Sequence, residues 1–336
     1  MNITIWDNKL LKLKKIDLIY IFFYINKLKK MDELLRKIEN LEAQIFHFLL
    51  EKYILDLKKN GYVIIPNVIS DEEIQIAKDL FYKWKNSIPN HDKMHSQINP
   101  HGIYKYHQVG HQEHAWYLRT RKKIISVFKK LWNTEDLIVS FDGCCYIPKE
   151  FTKKDKLWTH SDQAADSKGL QCYQSFVSLT KNSERTIILY EGSHLFHEHY
   201  FKEKNITGSK NWNLIDEAYL EKIKDAKRVL SVNPGDLVIW DSRTFHQNRY
   251  GKPNSEERIV QYLCYLPTLH IKNTKSQIEK RKKYFEELRT TSHWPCPLKV
   301  NGLQPQTYGD DSKLIDYELL VKPDLSDYMM MIEKLI

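Results

Sequence analysis

Apolar residues recur at helical spacing over residues 32–59, the first clear pattern along the chain. The apolar positions are three and four residues apart and are separated by lysines and glutamates, which is typical of a helix with one buried face. They are Leu34, Leu35, Ile38, Leu41, Ile45, Phe48 and Leu49. Gly61 follows and predicts the end of the helix. The pattern predicts a helix over residues 31–60 that packs on a partner surface or makes a short coiled-coil contact.

Short runs rich in β-branched and aromatic residues dominate the chain beyond this helix. Runs of strand length occur at residues 62–65, 137–142, 171–178, 186–190, 237–240 and 259–265. Helical spacing is seen between them, and one such helix is predicted to open at Ser70, because Glu73 stands three residues later at the spacing of a capping box. The order of elements predicts a mostly β protein with flanking helices.

Composition places the chain among ordinary globular proteins. Of its 336 residues 42% are hydrophobic and 28% are charged, which argues against disorder. The net charge is +9, but residues 1–30 contain seven lysines and two aspartates and so contribute +5 of it. Because no basic stripe with interleaved aromatics runs across the remaining chain, we expect no nucleic-acid partner.

Residues 1–30 combine lysine clusters with one apolar run, residues 18–25. This run is too short to cross a bilayer, which takes about 20 residues, and no signal-peptide cleavage site follows it. We therefore predict no transmembrane segment. Met31 is a plausible true start, so residues 1–30 are interpreted as a basic N-terminal extension with little fold of its own. A basic amphipathic segment that touches a membrane surface is the alternative.

The five cysteines are odd in number and include no Cys-x-x-Cys pair. Several lie in apolar runs, which favours buried free thiols over a disulfide framework. The protein is therefore predicted to occupy a reducing, cytoplasmic compartment.

The chemistry of the chain is concentrated in three segments. His160 and Asp162 stand two apart, so on a strand their side chains share one face. His246 follows the apolar run 237–240, and Arg258 opens the next run. Two histidines and one carboxylate are the facial triad of non-haem Fe(II) oxygenases, and an arginine nearby suits the carboxylate of a co-substrate.

With these residues the sequence resembles the phytanoyl-CoA dioxygenase family of Fe(II)/2-oxoglutarate-dependent oxygenases. The resemblance extends from about Gly61 to Pro297 and includes the segments 61–69, 192–194 and 235–241. It implies a double-stranded β-helix, that is a jelly-roll or cupin-like core, in a domain over residues 61–299. Residues 300–336 are then predicted to form a C-terminal strap.

The resemblance also implies roles for single residues. His160, Asp162 and His246 would bind iron, and Arg258 would pair with the distal carboxylate of 2-oxoglutarate. Gln174 would lie near the iron or the co-substrate, although a hydrogen-bonded core glutamine is an equal interpretation. The implied reaction hydroxylates a small-molecule substrate and converts 2-oxoglutarate to succinate and CO2, with ascorbate as a reductant. Asp241 and Asn248 are predicted to orient the imidazoles.

Two other classes remain open from the residues. A cupin-like enzyme that uses no oxoacid would need the triad but not Arg258, and a non-catalytic binding module would keep only the barrel. Residues 86–121 contain six histidines but no cysteine, so we expect a long loop over the substrate pocket and not a zinc site. Within it, Trp116 is predicted to be a core residue and Arg119 to pair with an acid.

Overall fold

The protein is described by a computed structural model that covers residues 3–89, 91 and 100–336. Contacts divide the chain into two compact units, Met1–Lys52 and Tyr53–Ile336. The first helix, α1, is Ile3–Asn60, so a helix over residues 31–60 is confirmed but begins well before Asp32. Its apolar residues that were predicted to be buried, such as Leu34, Ile38 and Phe48, are exposed. The domain bounds predicted at residues 30, 60 and 299 stay predictions.

Seven further α-helices lie among the described residues of the larger unit. They are α2 Asp71–Ser87, α3 Glu113–Arg119, α4 Lys122–Trp132, α5 Ser193–Glu203, α6 Glu217–Lys222, α7 Lys275–Glu286 and α8 Met329–Leu335. The capping box of α2 is confirmed, because Glu73 N donates to Ser70 Oγ at 3.2 Å and Ser70 N donates to Glu73 Oε2 at 2.9 Å. Within the described residues, no helix has the length and apolar character that a membrane span requires.

The strands are short and lie mostly between these helices. They are β1 Tyr62–Ile65, β2 Ile103–Tyr104, β3 Leu137–Val139, β4 Cys144–Ile147, β5 His160–Ser161, β6 Tyr173–Ser178, β7 Ile187–Tyr190, β8 Asn213–Leu214, β9 Lys227–Val229, β10 Leu237–Asp241, β11 His246–Asn248, β12 Arg258–Leu263 and β13 Tyr265–Pro267. A sheet-rich chain with flanking helices is confirmed.

Two antiparallel sheets organise the strands. The larger has the order β1-β10-β6-β12-β4-β2 and the smaller β8-β5-β11-β7-β9, while β13 and β3 form a separate pair. Strands distant in sequence are therefore neighbours. β6, for example, lies between β10 and β12.

The two sheets share one hydrophobic core. Phe176 and Val260 of the larger sheet pack in the same buried cluster as Ile187 and Leu189 of the smaller one. The strands β6, β7 and β10 are buried along their whole length. This explains why several strands are continuous apolar runs in the sequence, since neither of their faces meets water.

Gly61 connects the end of α1 to the loop before β11. Its φ of +81° is left-handed, and a Cβ there would collide with His194 Nδ1 and Thr244 Oγ1, so only glycine fits. The Gly61 carbonyl accepts from Thr244 Oγ1 at 2.8 Å and from Asp241 N at 3.0 Å. Gly61 thus holds the backbone immediately before His246.

Candidate metal centre and cavity

His160, Asp162 and His246 come together at one point of the smaller sheet. β5 and β11 are antiparallel neighbours, and His160 is the direct cross-strand partner of His246. Asp162 follows β5 by one residue. One ligand atom from each residue lies within 4.8 Å of the others, and all three side chains are buried. The sequence prediction that these residues form one cluster agrees with this geometry.

Backbone carbonyls fix both imidazoles. The Nδ1 atom of His160 is 3.0 Å from Trp158 O, and the Nδ1 atom of His246 is 2.9 Å from Thr244 O. Because a carbonyl oxygen only accepts, each Nδ1 carries a proton, so the neutral imidazole has its lone pair on Nε2 and the imidazolium donates from Nε2. The two Nε2 atoms face the same oxygen, Asp162 Oδ2, at 3.6 and 3.3 Å.

The prediction that Asp241 and Asn248 orient the imidazoles is wrong. Asp241 accepts two hydrogen bonds from Arg243, at 2.9 and 2.7 Å. Asn248 accepts from Arg258 Nη1 at 3.0 Å and donates to Tyr262 Oη at 3.1 Å. The prediction considered only polar side chains, whereas both acceptors are main-chain carbonyls.

Gln174 positions the carboxylate of the cluster. Its Nε2 donates to Asp162 Oδ2 at 2.8 Å, and its Oε1 accepts from Trp240 Nε1 at 3.0 Å. The indole can only donate, so it fixes which end of the amide faces Asp162. Gln174 is thus buried beside the cluster, while its contact with a co-substrate stays a prediction.

The protonation states suit metal binding. Burial acts to raise the pKa of the Asp162 carboxyl, but the charges of His160 and His293, with hydrogen bonds from His160 and His246, hold it well below its usual range. Burial, followed by the neighbouring His160, lowers the pKa of His246. A carboxylate and a neutral imidazole are the forms that bind a metal.

A stack of rings covers one side of His160. The Trp158 ring lies 4.8 Å from the His160 ring at an angle of 21°, and His101 stacks on Trp158 at 3.8 Å. Trp158 Nε1 also donates to Asn248 O at 3.1 Å. The stack therefore holds the plane of a ligand imidazole. The contact with His101 was not predicted, because it depends on tertiary structure.

Arg258 is buried, and only one of its three nitrogens donates hydrogen bonds to the described residues. Its Nη1 donates to Thr186 O and Asn248 Oδ1, both at 3.0 Å. Its Nε and Nη2 have no hydrogen-bond partner among the described residues. The guanidinium also lies 5.4 Å from the Phe176 ring. An always-ionised group with unused N–H donors fits a carboxylate ligand.

A cavity of about 190 Å³ opens beside the cluster. Its lining includes the three clustered residues and Gln174, together with Asn248 and Tyr262 from the hydrogen-bonded chain that reaches Arg258. Ile103, Tyr104 and Lys105 also line it, which confirms that residues 86–121 contribute to a pocket. That segment is nevertheless not a plain loop, since it contains β2 and α3. His293 lines the cavity as well.

The other histidines do not join the cluster. His194 and His197 pair with the backbone oxygens of Lys58 and Gln163. His111 and His114 are buried, and His95 lies outside the described residues. Within the described part of the chain, only His160, Asp162 and His246 form a group of three that could hold a metal.

The interpretation of Trp116 and Arg119 as scaffold is confirmed. Trp116 is fully buried. Arg119 Nη2 lies 3.7 Å from Asp142 Oδ1 and donates to the Asp142 backbone carbonyl at 2.8 Å. All five cysteines are free and buried, as predicted.

The donor set of the cluster fits Fe(II). Two imidazoles and one carboxylate are a set that suits a borderline divalent ion, and three ligands leave positions for 2-oxoglutarate on the same ion. The unused donors of Arg258 fit the second carboxylate of that molecule. The metal and the oxoacid thus match the residues present, judged on the chemistry of their donors.

No protein-family model matches the chain. The Ava biosynthesis cluster protein O of Aspergillus versicolor is 28% identical over 263 residues, which is 71% of this chain and 84% of that protein. Among solved structures, the epimerase SnoN in complex with Fe3+, alpha-ketoglutarate and nogalamycin RO is 19% identical, with a TM-score of 0.45 over 66% of this chain and 84% of its own. HygX from Streptomyces hygroscopicus, with nickel and 2-oxoglutarate bound, is 12% identical, with a TM-score of 0.45 over 65% of this chain and 86% of its own.

Proposed function

We propose that the protein is an Fe(II)- and 2-oxoglutarate-dependent dioxygenase of the phytanoyl-CoA dioxygenase family. It hydroxylates a small molecule and releases succinate and CO2. The observation that carries the proposal is the pair of imidazoles whose Nε2 atoms both face Asp162 Oδ2 while backbone carbonyls hold their Nδ1 protons. Such preorganisation is the arrangement that a bound metal requires of its outer contacts.

The fold is proposed to be a double-stranded β-helix. Its support is the pair of antiparallel sheets that share one core, with the cluster on β5 and β11 of the smaller sheet. The cytoplasm is the proposed location, because the five thiols are free and buried.

His160, Asp162 and His246 would hold the iron. Bound iron supplies the activation of O2 that the side chains themselves cannot perform. Beside it, Gln174 Nε2 donates a hydrogen bond to Asp162 Oδ2. This hydrogen bond favours the ionised carboxylate and fixes its orientation.

Arg258 would bind the distal carboxylate of 2-oxoglutarate. A carboxylate buried without a partner is costly, and Nε and Nη2 of Arg258 are buried donors without partners. Asn248 holds the guanidinium through Nη1, and Tyr262 holds Asn248. The three residues form a chain that keeps the free edge of the guanidinium in one orientation.

Uncoupled turnover tests the proposal without knowledge of the substrate. Protein supplied with Fe(II), ascorbate, O2 and 2-oxoglutarate should form succinate, and His160→Ala and Asp162→Ala should abolish it. His199→Ala is the matched control, since His199 is exposed and its Nδ1 faces Glu203 and not the cluster. Absence of succinate from the iron-loaded wild type would contradict the proposal.

A cupin-like enzyme without an oxoacid, or a binding module, is the alternative outcome. The cupin-like enzyme would bind metal through the three residues, and neither alternative would form succinate. In those alternatives, Nε and Nη2 of Arg258 would have no co-substrate carboxylate to bind.

A further inference from the structure

Four residues of the cavity lining carry a buried polar atom that has no hydrogen-bond partner among the described residues. The atoms are Tyr104 Oη, Asp142 Oδ2, Ser292 Oγ and His293 Nε2. A buried polar atom without a partner costs about 1–3 kcal/mol, so proteins rarely leave several around one cavity unless a ligand satisfies them. None of the four is part of the triad or of the chain that leads to Arg258.

Asp142 is the charged member of this group, and its position is fixed. It lies in the link between β3 and β4. Ser140 Oγ donates to its Oδ1 at 2.7 Å, and Arg119 Nη2 donates to its backbone carbonyl at 2.8 Å. The side chain is buried, yet it lines the cavity.

The contact with Arg119 leaves Oδ2 of the Asp142 carboxylate without a hydrogen bond. Arg119 Nη2 lies 3.7 Å from Asp142 Oδ1, beyond a normal hydrogen bond. In the pair of Arg243 and Asp241, by contrast, both carboxylate oxygens accept hydrogen bonds from the guanidinium, at 2.9 and 2.7 Å. Asp142 Oδ2 therefore remains an acceptor in need of a donor.

The four atoms share one chemical ability. A carboxylate oxygen, two hydroxyl oxygens and an imidazole nitrogen can each accept a hydrogen bond. An anionic group would meet the charge of Asp142, and a hydrocarbon would leave all four atoms unsatisfied. Lys105, which also lines the cavity, lies with its ammonium over the Tyr106 ring at 5.6 Å. An ammonium group, with a positive charge and three donors, fits the set best.

We propose that Tyr104, Asp142, Ser292 and His293 form a substrate subsite for an ammonium group, with Asp142 as its charged acceptor. The substrate is then a compact primary amine. This inference rests on the proposed function, since it names the substrate class of the same cavity.

Two probes that differ in one group test the subsite. Benzylamine and benzyl alcohol are titrated into the full-length protein, freed of metal with EDTA so that the amine has no iron to bind, and calorimetry gives the two dissociation constants. The wild type should prefer benzylamine by about tenfold, as expected for one charge-assisted hydrogen bond. Asp142→Asn should raise the dissociation constant of benzylamine by about tenfold and leave that of benzyl alcohol unchanged.

Asp136→Asn is the control, because Asp136 is exposed and lies close in sequence; its dissociation constants should equal those of the wild type. Equal affinity of the wild type for the two probes, or a preference for benzylamine that survives Asp142→Asn, overturns the inference. If Asp142→Asn does not fold, Ser292→Ala decides: a loss of benzylamine affinity of about threefold or more supports the subsite, and no loss overturns it.

The succinate assay separates this inference from the proposed function. A wild type that forms succinate but shows no amine preference refutes the subsite alone. A wild type that forms no succinate refutes the oxygenase, while the probe affinities of the metal-free protein still decide the subsite.

Discussion

Replacing Asp142 by asparagine should make the protein more stable at neutral pH. Burial raises the pKa of Asp142 from 3.8 to about 6, although Arg119 and Ser140 act in the opposite direction. The folded protein therefore holds this proton more tightly than the unfolded chain does. The stability that protonated Asp142 contributes is complete below pH 3.8 and is lost as the pH rises through about 6. Asparagine keeps the shape and cannot ionise.

The expected size follows from the two pKa values. Their difference is about 2 pKa units, and each unit is worth about 1.36 kcal/mol, so ionisation of Asp142 should cost roughly 3 kcal/mol at pH 7.5. At pH 5 the same linkage gives about 1.5 kcal/mol, because the folded carboxyl is then mostly protonated. Asp142→Asn should thus be more stable than the wild type by these amounts.

Urea unfolding of the metal-free protein at pH 5.0 and 7.5 measures the difference. Groups that titrate in both variants cancel in the comparison when they do not contact Asp142. Asp136→Asn serves as the control and should show no gap at either pH. A variant less stable than the wild type at pH 7.5 would mean that Asp142 stabilises the fold as the counter-ion of Arg119. A difference in the free energy of unfolding that is the same at both pH values would mean the same.

Four further substitutions test the centre and the scaffold. His246→Ala should weaken Co(II) binding by more than the roughly 10- to 100-fold that loss of an outer contact costs, and unchanged binding in a metal titration would exclude it as a ligand. Gln174→Leu should weaken the same binding by about 10- to 100-fold through the loosened Asp162, and an effect below threefold would leave Gln174 as ordinary core. Arg258→Ala should raise the KM for 2-oxoglutarate by at least about tenfold in the succinate assay and spare Co(II) affinity; an equal loss of both would mean that the variant is misfolded. Ser70→Ala should lower the free energy of unfolding by about 1 kcal/mol through loss of the α2 cap, and its metal affinity should equal that of the wild type.

The three clustered residues could be singled out from the sequence because their signals are local. His160 and Asp162 are two residues apart, and strand periodicity alone puts them on one face. The end of a buried apolar run marked the neighbourhood of His246. Their pairing across β5 and β11 is long-range, so it was inferred only through the resemblance.

The outer contacts could not be predicted, for a physical reason. The acceptors of the two Nδ1 protons are carbonyl groups of Trp158 and Thr244. Every residue has a carbonyl, so residue type carries no information about this role. The start of α1 was also missed, since lysine clusters interrupt the apolar periodicity before Asp32 without breaking a helix.

The two carbonyls have a consequence for how the centre tolerates change. In both cases the acceptor belongs to the residue two positions before the histidine. No single side-chain replacement can delete it, because the contact depends on the path of the main chain. Lining side chains that do not touch the two imidazoles can therefore change without removing these two hydrogen bonds.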